Sequence, residues 1–282
     1  MPSPASTLLA LAIVVFATSA VHCDDHHPYL VAISYRKRLL GAGVIINERH
    51  VLTSASTIFH QTELDQLDRG EIGWKPIKVH AGSLFWDRSP QVHDVFCPHF
   101  TEHWKAYIKN DTVSGRAYMT SVKNDWAVLK LYSSFEYNSD VQPIRMIGPD
   151  DPSPMGMLAK IPTWDSTDGR VFPARSSKSS SSKMLVYSGL RLAQARRCEV
   201  CSLERYNVSL DATDGWCAYK RNDGDGRRYL DGSPVVVNSM LVGVVTGPMG
   251  DCSLDSSYVV DPRSHLEMMN DFMGKNDCLT VN

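Results

Sequence analysis

The residues best suited to bind a metal are Cys97, His99 and His103, which form a C-x-H-x-x-x-H cluster. Zinc accepts thiolate and imidazole ligands, but a structural zinc site normally uses four ligands at recognised spacings. His26 and His27, near the start of the chain, supply no such spacing. We therefore predict no metal site and no cofactor, and expect Cys97 to form a disulfide if the chain is secreted.

The first 20 residues have the pattern of a secretory signal peptide. The apolar run from Leu8 to Ala17 is shorter than a membrane span, which needs about 20 residues. The small residues Thr18-Ser19-Ala20 follow it as a cleavage site. We predict a secreted, extracellular protein without a membrane span, cleaved after Ala20 or as late as Cys23.

Secretion makes disulfides the default state of the cysteines. The chain has seven, namely Cys23, Cys97, Cys198, Cys201, Cys217, Cys252 and Cys278. Asn110 and Asn207 begin the sequons N-D-T and N-V-S, which are candidate glycosylation sites in a secreted chain.

Composition excludes several classes of protein. Hydrophobic residues make up 43% of the 282 residues and the net charge is only −2, which argues against disorder of the whole chain. A balance of 29 basic and 31 acidic side chains gives no reason to expect a nucleic-acid partner.

Short β-rich runs separated by turn residues are the elements that would position the candidate side chains. They include Tyr29–Ile33, Gly43–Ile46, Trp126–Leu131, Val235–Val237 and Met240–Val245. The one helical pattern lies between about residues 264 and 273, after Pro262. Residues 99–124 lack strong periodicity and are expected to form a long surface loop carrying Asn110, and 170–197 to include a basic exposed loop.

Segments of the chain, taken in order, resemble the trypsin-like serine proteases. His50–Thr57 (H-V-L-T-S-A-S-T) is similar to their V-L-T-A-A-H-C segment, and Asn124–Leu131 (N-D-W-A-V-L-K-L) to N-D-I-A-L-L-K-L. Leu230–Val237 (L-D-G-S-P-V-V-V), followed by Leu241–Thr246, resembles G-D-S-G-G-P-L and L-V-G-I-V-S. Pro28-Tyr29 and Ile161–Trp164 fit two further landmarks, so that the resemblance covers about residues 28–275.

The resemblance implies an all-β fold of two antiparallel six-stranded β-barrels with a C-terminal α-helix. We expect the N-terminal barrel to span residues 28–143 and the second barrel 144–282.

Carried over position by position, the same resemblance implies loss of catalysis. The family uses a serine nucleophile, a histidine that takes its proton and an aspartate that orients the histidine. Here the histidine position is Ser56 and the nucleophile position is Asp231, while Asp125 keeps the aspartate. A serine hydroxyl cannot act as a base near neutral pH, so neither replacement supplies the missing chemistry.

Other parts of the machinery are also replaced. The oxyanion-hole glycine falls on Tyr229, whose Cβ resists the backbone conformation that a glycine allows. The aspartate that receives the new N-terminus of an activated zymogen falls on Leu230, and no I-V-G-G segment precedes Pro28. We therefore expect a chain with no activation switch.

The cysteine pattern differs from that of the family as well. The bridge beside the histidine would join Gly41 to Thr57, and neither is a cysteine. The resemblance implies a bridge between Cys201 and Cys217 in the second barrel. Asp225 lies where the family places the acid that selects basic residues, and it fits either a ligand-selecting position or a solvated turn.

The function expected from these replacements is binding. We predict an inactive serine protease homologue that serves as a cofactor, competitor or regulator of active proteases in immunity, digestion or seminal fluid, roles that the family's inactive members have notably in arthropods. The partner would be an extracellular protein, such as an active serine protease or its substrate. One alternative is a polyanion-binding or carrier protein that uses the basic 170–197 loop; another is a protease with a relocated nucleophile at Ser233.

Overall fold

The computed structural model describes residues 26–58, 76–101, 105–111, 116–164, 184–195, 198, 215–219, 229–246 and 256–275. The expected signal peptide, Asp225 and Asn207 lie outside these residues. No helix among the described residues is long and apolar enough to cross a bilayer.

The first half of the chain forms eight strands. They are β1 (Leu30–Tyr35), β2 (Arg38–Asn47), β3 (His50–Thr53), β4 (Ile77–Ala81), β5 (Gln91–Phe100), β6 (Lys105–Asp111), β7 (Arg116–Lys123) and β8 (Ala127–Leu131). Six of them close into an antiparallel barrel in the order β1-β2-β3-β8-β5-β4. In β4, Ile77, Val79 and Ala81 alternate with less buried residues and fill the barrel interior, as the two-residue period of a strand requires.

A second barrel, also of six strands, follows the first. They are β9 (Leu158–Trp164), β10 (Met184–Gln194), β11 (Gly215–Tyr219), β12 (Pro234–Val237), β13 (Met240–Thr246) and β14 (Ser256–Val260). Their order around the barrel is β10-β11-β14-β13-β12-β9. The expectation of two six-stranded antiparallel barrels is confirmed.

A C-terminal helix completes the fold, as the sequence pattern predicts. A 3₁₀ turn, Pro262–His265, leads into α1, Leu266–Gly274. The turn begins at Asp261, whose carboxylate accepts a hydrogen bond from the backbone N–H of Arg263 at 3.0 Å. Met269 and Phe272 of α1 are buried in a core cluster that contains residues of both barrels.

Parts of two segments expected to contain loops are strands, while residues 165–183 of the basic segment lie outside the described residues. Within the 99–124 segment, β6 and β7 pair as a hairpin outside both barrels, with Asn110 of β6 opposite Ala117. Within 170–197, β10 pairs with both β9 and β11, so this part of the basic segment belongs to the second barrel. Both segments contain aromatic and β-branched residues, and strand pairing satisfies the backbone groups that the sequence pattern left without partners.

The expectation of a disulfide between Cys201 and Cys217 is wrong. Cys217 pairs with Cys198, with Cα atoms 5.5 Å apart. The reason is local: Cys217 lies opposite Ala193 on β10. A turn in which the Cys198 N–H donates to the Ala195 carbonyl then brings Cys198 back toward β11. Cys97 is disulfide-bonded too, as expected, and its partner lies outside the described residues.

Candidate functional site

Asp125 is held by the helical turn that follows β3. Asp125 follows Asn124, whose left-handed backbone (φ 49°) turns the chain just before β8. Its carboxylate is buried and accepts two hydrogen bonds from Ser56, one from the backbone N–H and one from the side-chain hydroxyl, each at 2.6 Å. Ser56, itself buried, lies in the helical turn that begins at Ala55 after β3.

This contact shows what the Ser56 side chain does. The Ser56 hydroxyl donates a hydrogen bond to Asp125, so it stabilises the carboxylate and provides no lone pair with the basicity of an imidazole. A charge-assisted hydrogen bond of this kind is about twice as strong as a neutral one. The pair thus anchors the turn after β3 to the segment before β8, and it contains no imidazole base.

Asp231, the residue expected at the nucleophile position, lies in the turn before β12. Its backbone carbonyl accepts a hydrogen bond from the Ala42 N–H of β2 at 2.8 Å. A Cβ on the neighbouring Gly41 would lie 2.6 Å from that carbonyl oxygen and 2.7 Å from Thr57 Cγ2. The turn, β2 and the segment after β3 therefore meet within van der Waals distance.

The side chain of Asp231 is in an unfavourable environment for a charge. Burial, and secondarily the negative charge of Asp125, raises the pKa of Asp231 to about 7. No described residue donates a hydrogen bond to its carboxylate. The site thus places two carboxyl groups close enough to interact, and it holds the pKa of Asp231 near neutral.

Ser233, the candidate substitute nucleophile, is buried and hydrogen-bonded. It is 0% exposed, and its hydroxyl donates to Thr163 Oγ1 at 2.8 Å. The same Thr163 oxygen accepts the Leu230 N–H at 3.2 Å. Thr163 was not identified from the sequence. The sequence signal that could have identified Thr163 is its place in the I-P-T-W landmark, which lies beside the turn.

The residues on the other side of the turn face the apolar interior. Tyr229, at the oxyanion-hole position, has an ordinary negative φ, and it packs against the core of the second barrel. Leu230 packs on a cluster between the barrels that includes Leu30, Trp86 and Trp164. A carboxylate in that setting would lie among apolar side chains, so Leu230 stabilises the barrel interface by burial.

The remaining sequence candidates are placed elsewhere or lie outside the described residues. His99 stacks on Phe272 with ring centroids 4.1 Å apart, and Cys97 is in a disulfide, while His103 lies outside the described residues. No group of potential metal ligands occurs among the described residues. His26 contacts Asp140 at 2.9 Å, and His27 contacts the Tyr29 hydroxyl at 2.7 Å.

Comparisons with known proteins agree with this architecture. No protein-family model and no curated protein matches the chain. Among solved structures, kallikrein-related peptidase 10 with Zn²⁺ is similar, with 16% identity, a TM-score of 0.60, and coverage of 87% of this chain and 95% of that one. An inactivated protease paralogue of the scabies mite, S-D1, has 14% identity, a TM-score of 0.63, and coverage of 89% and 94%.

A mutant of human heparin binding protein is similar to the same degree. It has 13% identity and a TM-score of 0.60, and the match covers 90% of this chain and 95% of that one. These identities are low, but each match covers nearly all of both chains, so the similarity extends over the whole architecture. The two closed barrels and the C-terminal helix have the trypsin-like fold.

Proposed function

We propose that this chain is a secreted, catalytically inactive serine protease homologue that acts by binding an extracellular protein, as a cofactor, competitor or regulator of active proteases. The observation that carries the proposal is the contact between Ser56 and Asp125. Where the family's mechanism requires a base, this chain has a hydroxyl that donates to a buried carboxylate. A chain that lacks the base and the nucleophile keeps the surface of a protease but has no groups that could carry out acyl transfer.

The surroundings of the turn support the same conclusion. An oxyanion hole needs backbone N–H groups aimed at the developing charge, and it is a large part of the rate enhancement in acyl transfer. Tyr229 fills that position with a side chain anchored in the second barrel. Leu230 replaces a charged partner with apolar packing. Reverting Ser56 and Asp231 alone would leave both features in place.

A structural neighbour gives further support. The scabies mite protein is described as an inactivated protease paralogue. Its likeness is consistent with a fold that is retained after catalysis is lost.

The direct test is labelling of the purified protein with a fluorophosphonate, which reacts with activated serine nucleophiles. We expect no labelling of the wild type under conditions that label an active trypsin-like protease completely. Ser233→Ala and Ser56→Ala are the matched variants, since these serines lie at or beside the former site. Labelling of the wild type that Ser233→Ala removes would overturn the proposal.

The regulatory role needs a second readout. The wild-type protein should change the rate at which an active trypsin-like protease is activated or cleaves its protein substrate. A chain that neither labels nor changes that rate at any concentration would contradict the role of cofactor or competitor.

A polyanion-binding or carrier role remains the alternative, through the basic residues of 170–197. Much of that segment lies outside the described residues, and Arg191 of β10 donates to the Gly156 carbonyl at 3.4 Å within the second barrel. Retention on heparin with a steep salt dependence would favour this alternative.

A further inference from the structure

We propose that the contact between α1 and the first barrel is an acid-sensitive switch, in which protonation of His50 releases the helix while both barrels remain closed. His50 is the first residue of β3, and its residue surface is only 5% exposed. It takes no part in the contacts that define the candidate site. The proposal is therefore independent of the proposed binding function.

The hydrogen bonds of Asn47 fix the tautomer of His50. Asn47 Oδ1 accepts the Arg49 backbone N–H at 2.9 Å, which defines the orientation of the amide. The same oxygen lies 2.8 Å from His50 Nδ1, so Nδ1 carries the hydrogen and donates it. The other ring nitrogen, Nε2, then carries the lone pair and is the atom that takes up a proton.

The surroundings of His50 Nε2 are unfavourable for a charge. The atom is buried and has no hydrogen-bond partner among the described residues. The ring meets Phe272 of α1 edge-on, with centroids 6.0 Å apart. A new N–H at this position would have no acceptor, and an unpaired buried charge is costly. Burial, and secondarily the positive charges of Lys130 and Arg49, lowers the pKa of His50 to about 4.

The charged side chains nearest His50 on the first barrel are cations. Lys130 of β8 lies directly opposite His50 in the strand pairing and is itself buried. Arg49, in the turn between β2 and β3, donates to the backbone carbonyls of Leu131 and Tyr132. Protonation of His50 would therefore add a positive charge beside two existing ones.

The acids around this contact do not offset those charges. On α1, Glu267 and Asp271 are exposed, and Asp271 pairs with Lys275 of the same segment at 2.5 Å. Glu48, in the β2–β3 turn, is also exposed. The remaining titratable group is His99 of β5, which stacks on Phe272. Among the described residues, no carboxylate forms an ion pair with His50.

The residues that attach α1 to the first barrel are those that a charged His50 would disturb. Phe272 lies between the rings of His50 and His99. Asn47, which binds His50 through Oδ1, donates from Nδ2 to Met273 Sδ at 3.1 Å. Lys130 Nζ donates to the Lys275 carbonyl just beyond the last turn of α1. One proton on His50 thus acts on an aromatic contact and on two hydrogen bonds of the helix.

The direction and size of the effect follow from linkage. In the released state His50 regains its ordinary pKa of 6.5, so the docked state loses stability as the pH falls below 6.5, and the loss is complete below about 4. The difference between 6.5 and about 4 favours the released state by up to about 300-fold.

The barrels have cores of their own. The interior clusters of the first and second barrels contain no residue of α1, and neither does the cluster between the barrels that includes Trp86, Trp164 and Met184. Release of α1 therefore removes contacts from the one remaining core cluster, which holds Met269 and Phe272. Local opening of this kind is common for elements at the end of a chain.

The test measures oxidation of methionines by dilute hydrogen peroxide in the full-length protein at about pH 7 and about pH 3.5, with mass spectrometry of tryptic peptides as the readout. Met269 of α1 is 0% exposed, Met155 is 46% exposed, and Met184 is 8% exposed. We expect the oxidation rate of Met269 relative to Met155 to rise at least about tenfold at the lower pH, while Met184 remains protected.

His50→Gln removes the titration and retains a side-chain donor for Asn47, so Met269 should stay protected at both pH values. His50→Phe, which keeps a ring against Phe272, should give the same result. His93→Gln is the matched control: His93 is a buried histidine of the first barrel whose ring packs on Phe135, and this variant should behave as the wild type.

Three outcomes would overturn the switch. Met269 could stay protected in the wild type at about pH 3.5, or Met184 could become oxidised together with Met269, which would indicate unfolding of the whole molecule. Equal oxidation of Met269 in the wild type and both His50 variants would show that another group controls the release.

Discussion

At the scale of single residues, the site contains two carboxyl groups, Asp125 and Asp231, in different settings. Ser56 holds Asp125 with two short hydrogen bonds. No described residue donates a hydrogen bond to the Asp231 carboxylate, which is desolvated by burial and lies near the negative charge of Asp125. The cost of that arrangement should be visible in the pH dependence of stability.

Asp231→Asn is predicted to stabilise the protein above neutral pH. The pKa of Asp231 rises from 3.8 to about 7 in the folded state, so the folded chain binds the proton more tightly than the unfolded chain. Its destabilising effect is absent below about pH 4, grows as the pH rises from about 4 to 7, and is complete above 7. At pH 8 the free energy of unfolding of the variant should exceed that of the wild type by on the order of 3 kcal/mol.

The measurement is urea unfolding of both proteins from pH 4 to pH 8. His50 gives the opposite slope, since burial, Lys130 and Arg49 lower its pKa to about 4, and its contribution is lost as the pH falls below 6.5. Taking the difference between the variant and the wild type removes that contribution. A difference that does not change with pH would contradict the assigned role of Asp231.

At the scale of elements, the turn that carries Asp231 is fixed by a glycine whose conformation and surroundings both exclude a side chain. Gly232 has a φ of 81°, and a Cβ there would lie 2.0 Å from the Ala42 carbonyl oxygen and 2.3 Å from Thr53 Oγ1. The turn is thereby pressed against β2 and β3. The close approach seats the second barrel on the first at the site.

Gly232→Ala is therefore predicted to lower the free energy of unfolding by about 3 kcal/mol or more. Gly189→Ala is the matched control: its φ is 78°, but a Cβ there would meet no atom within 4 Å. Only the conformational cost of about 1 kcal/mol applies to Gly189→Ala. Equal losses in the two variants, measured by chemical unfolding, would show that the contact with β2 and β3 is unimportant.

At the scale of the whole molecule, the C-terminal helix packs against a core built from both barrels. Phe272 lies between His50 and His99 of the first barrel, with ring centroids 6.0 Å and 4.1 Å away. The same core cluster contains Trp126 of the first barrel and Val244 of the second. The helix thus holds the two barrels in the relative position that the site requires.

Phe272→Ala should destabilise the protein by about 3–5 kcal/mol, because it removes a buried aromatic side chain from this core. Glu267→Ala, on the exposed face of the same helix, should change the free energy of unfolding by less than about 0.5 kcal/mol. Thermal and urea unfolding give both values. A small effect of Phe272→Ala would mean that the barrels associate without the helix.

The sequence by itself determined the two strand-rich barrels and the terminal helix. Ordered motifs and alternating apolar residues are local in the chain, and they carry this information without tertiary contacts. Tertiary structure alone decided that Cys217 pairs with Cys198, that Thr163 buries the Ser233 hydroxyl, and that Arg36-Lys37 forms a strained turn. Each of these depends on which strands lie side by side, and pairing register is set by the whole barrel rather than by neighbouring residues.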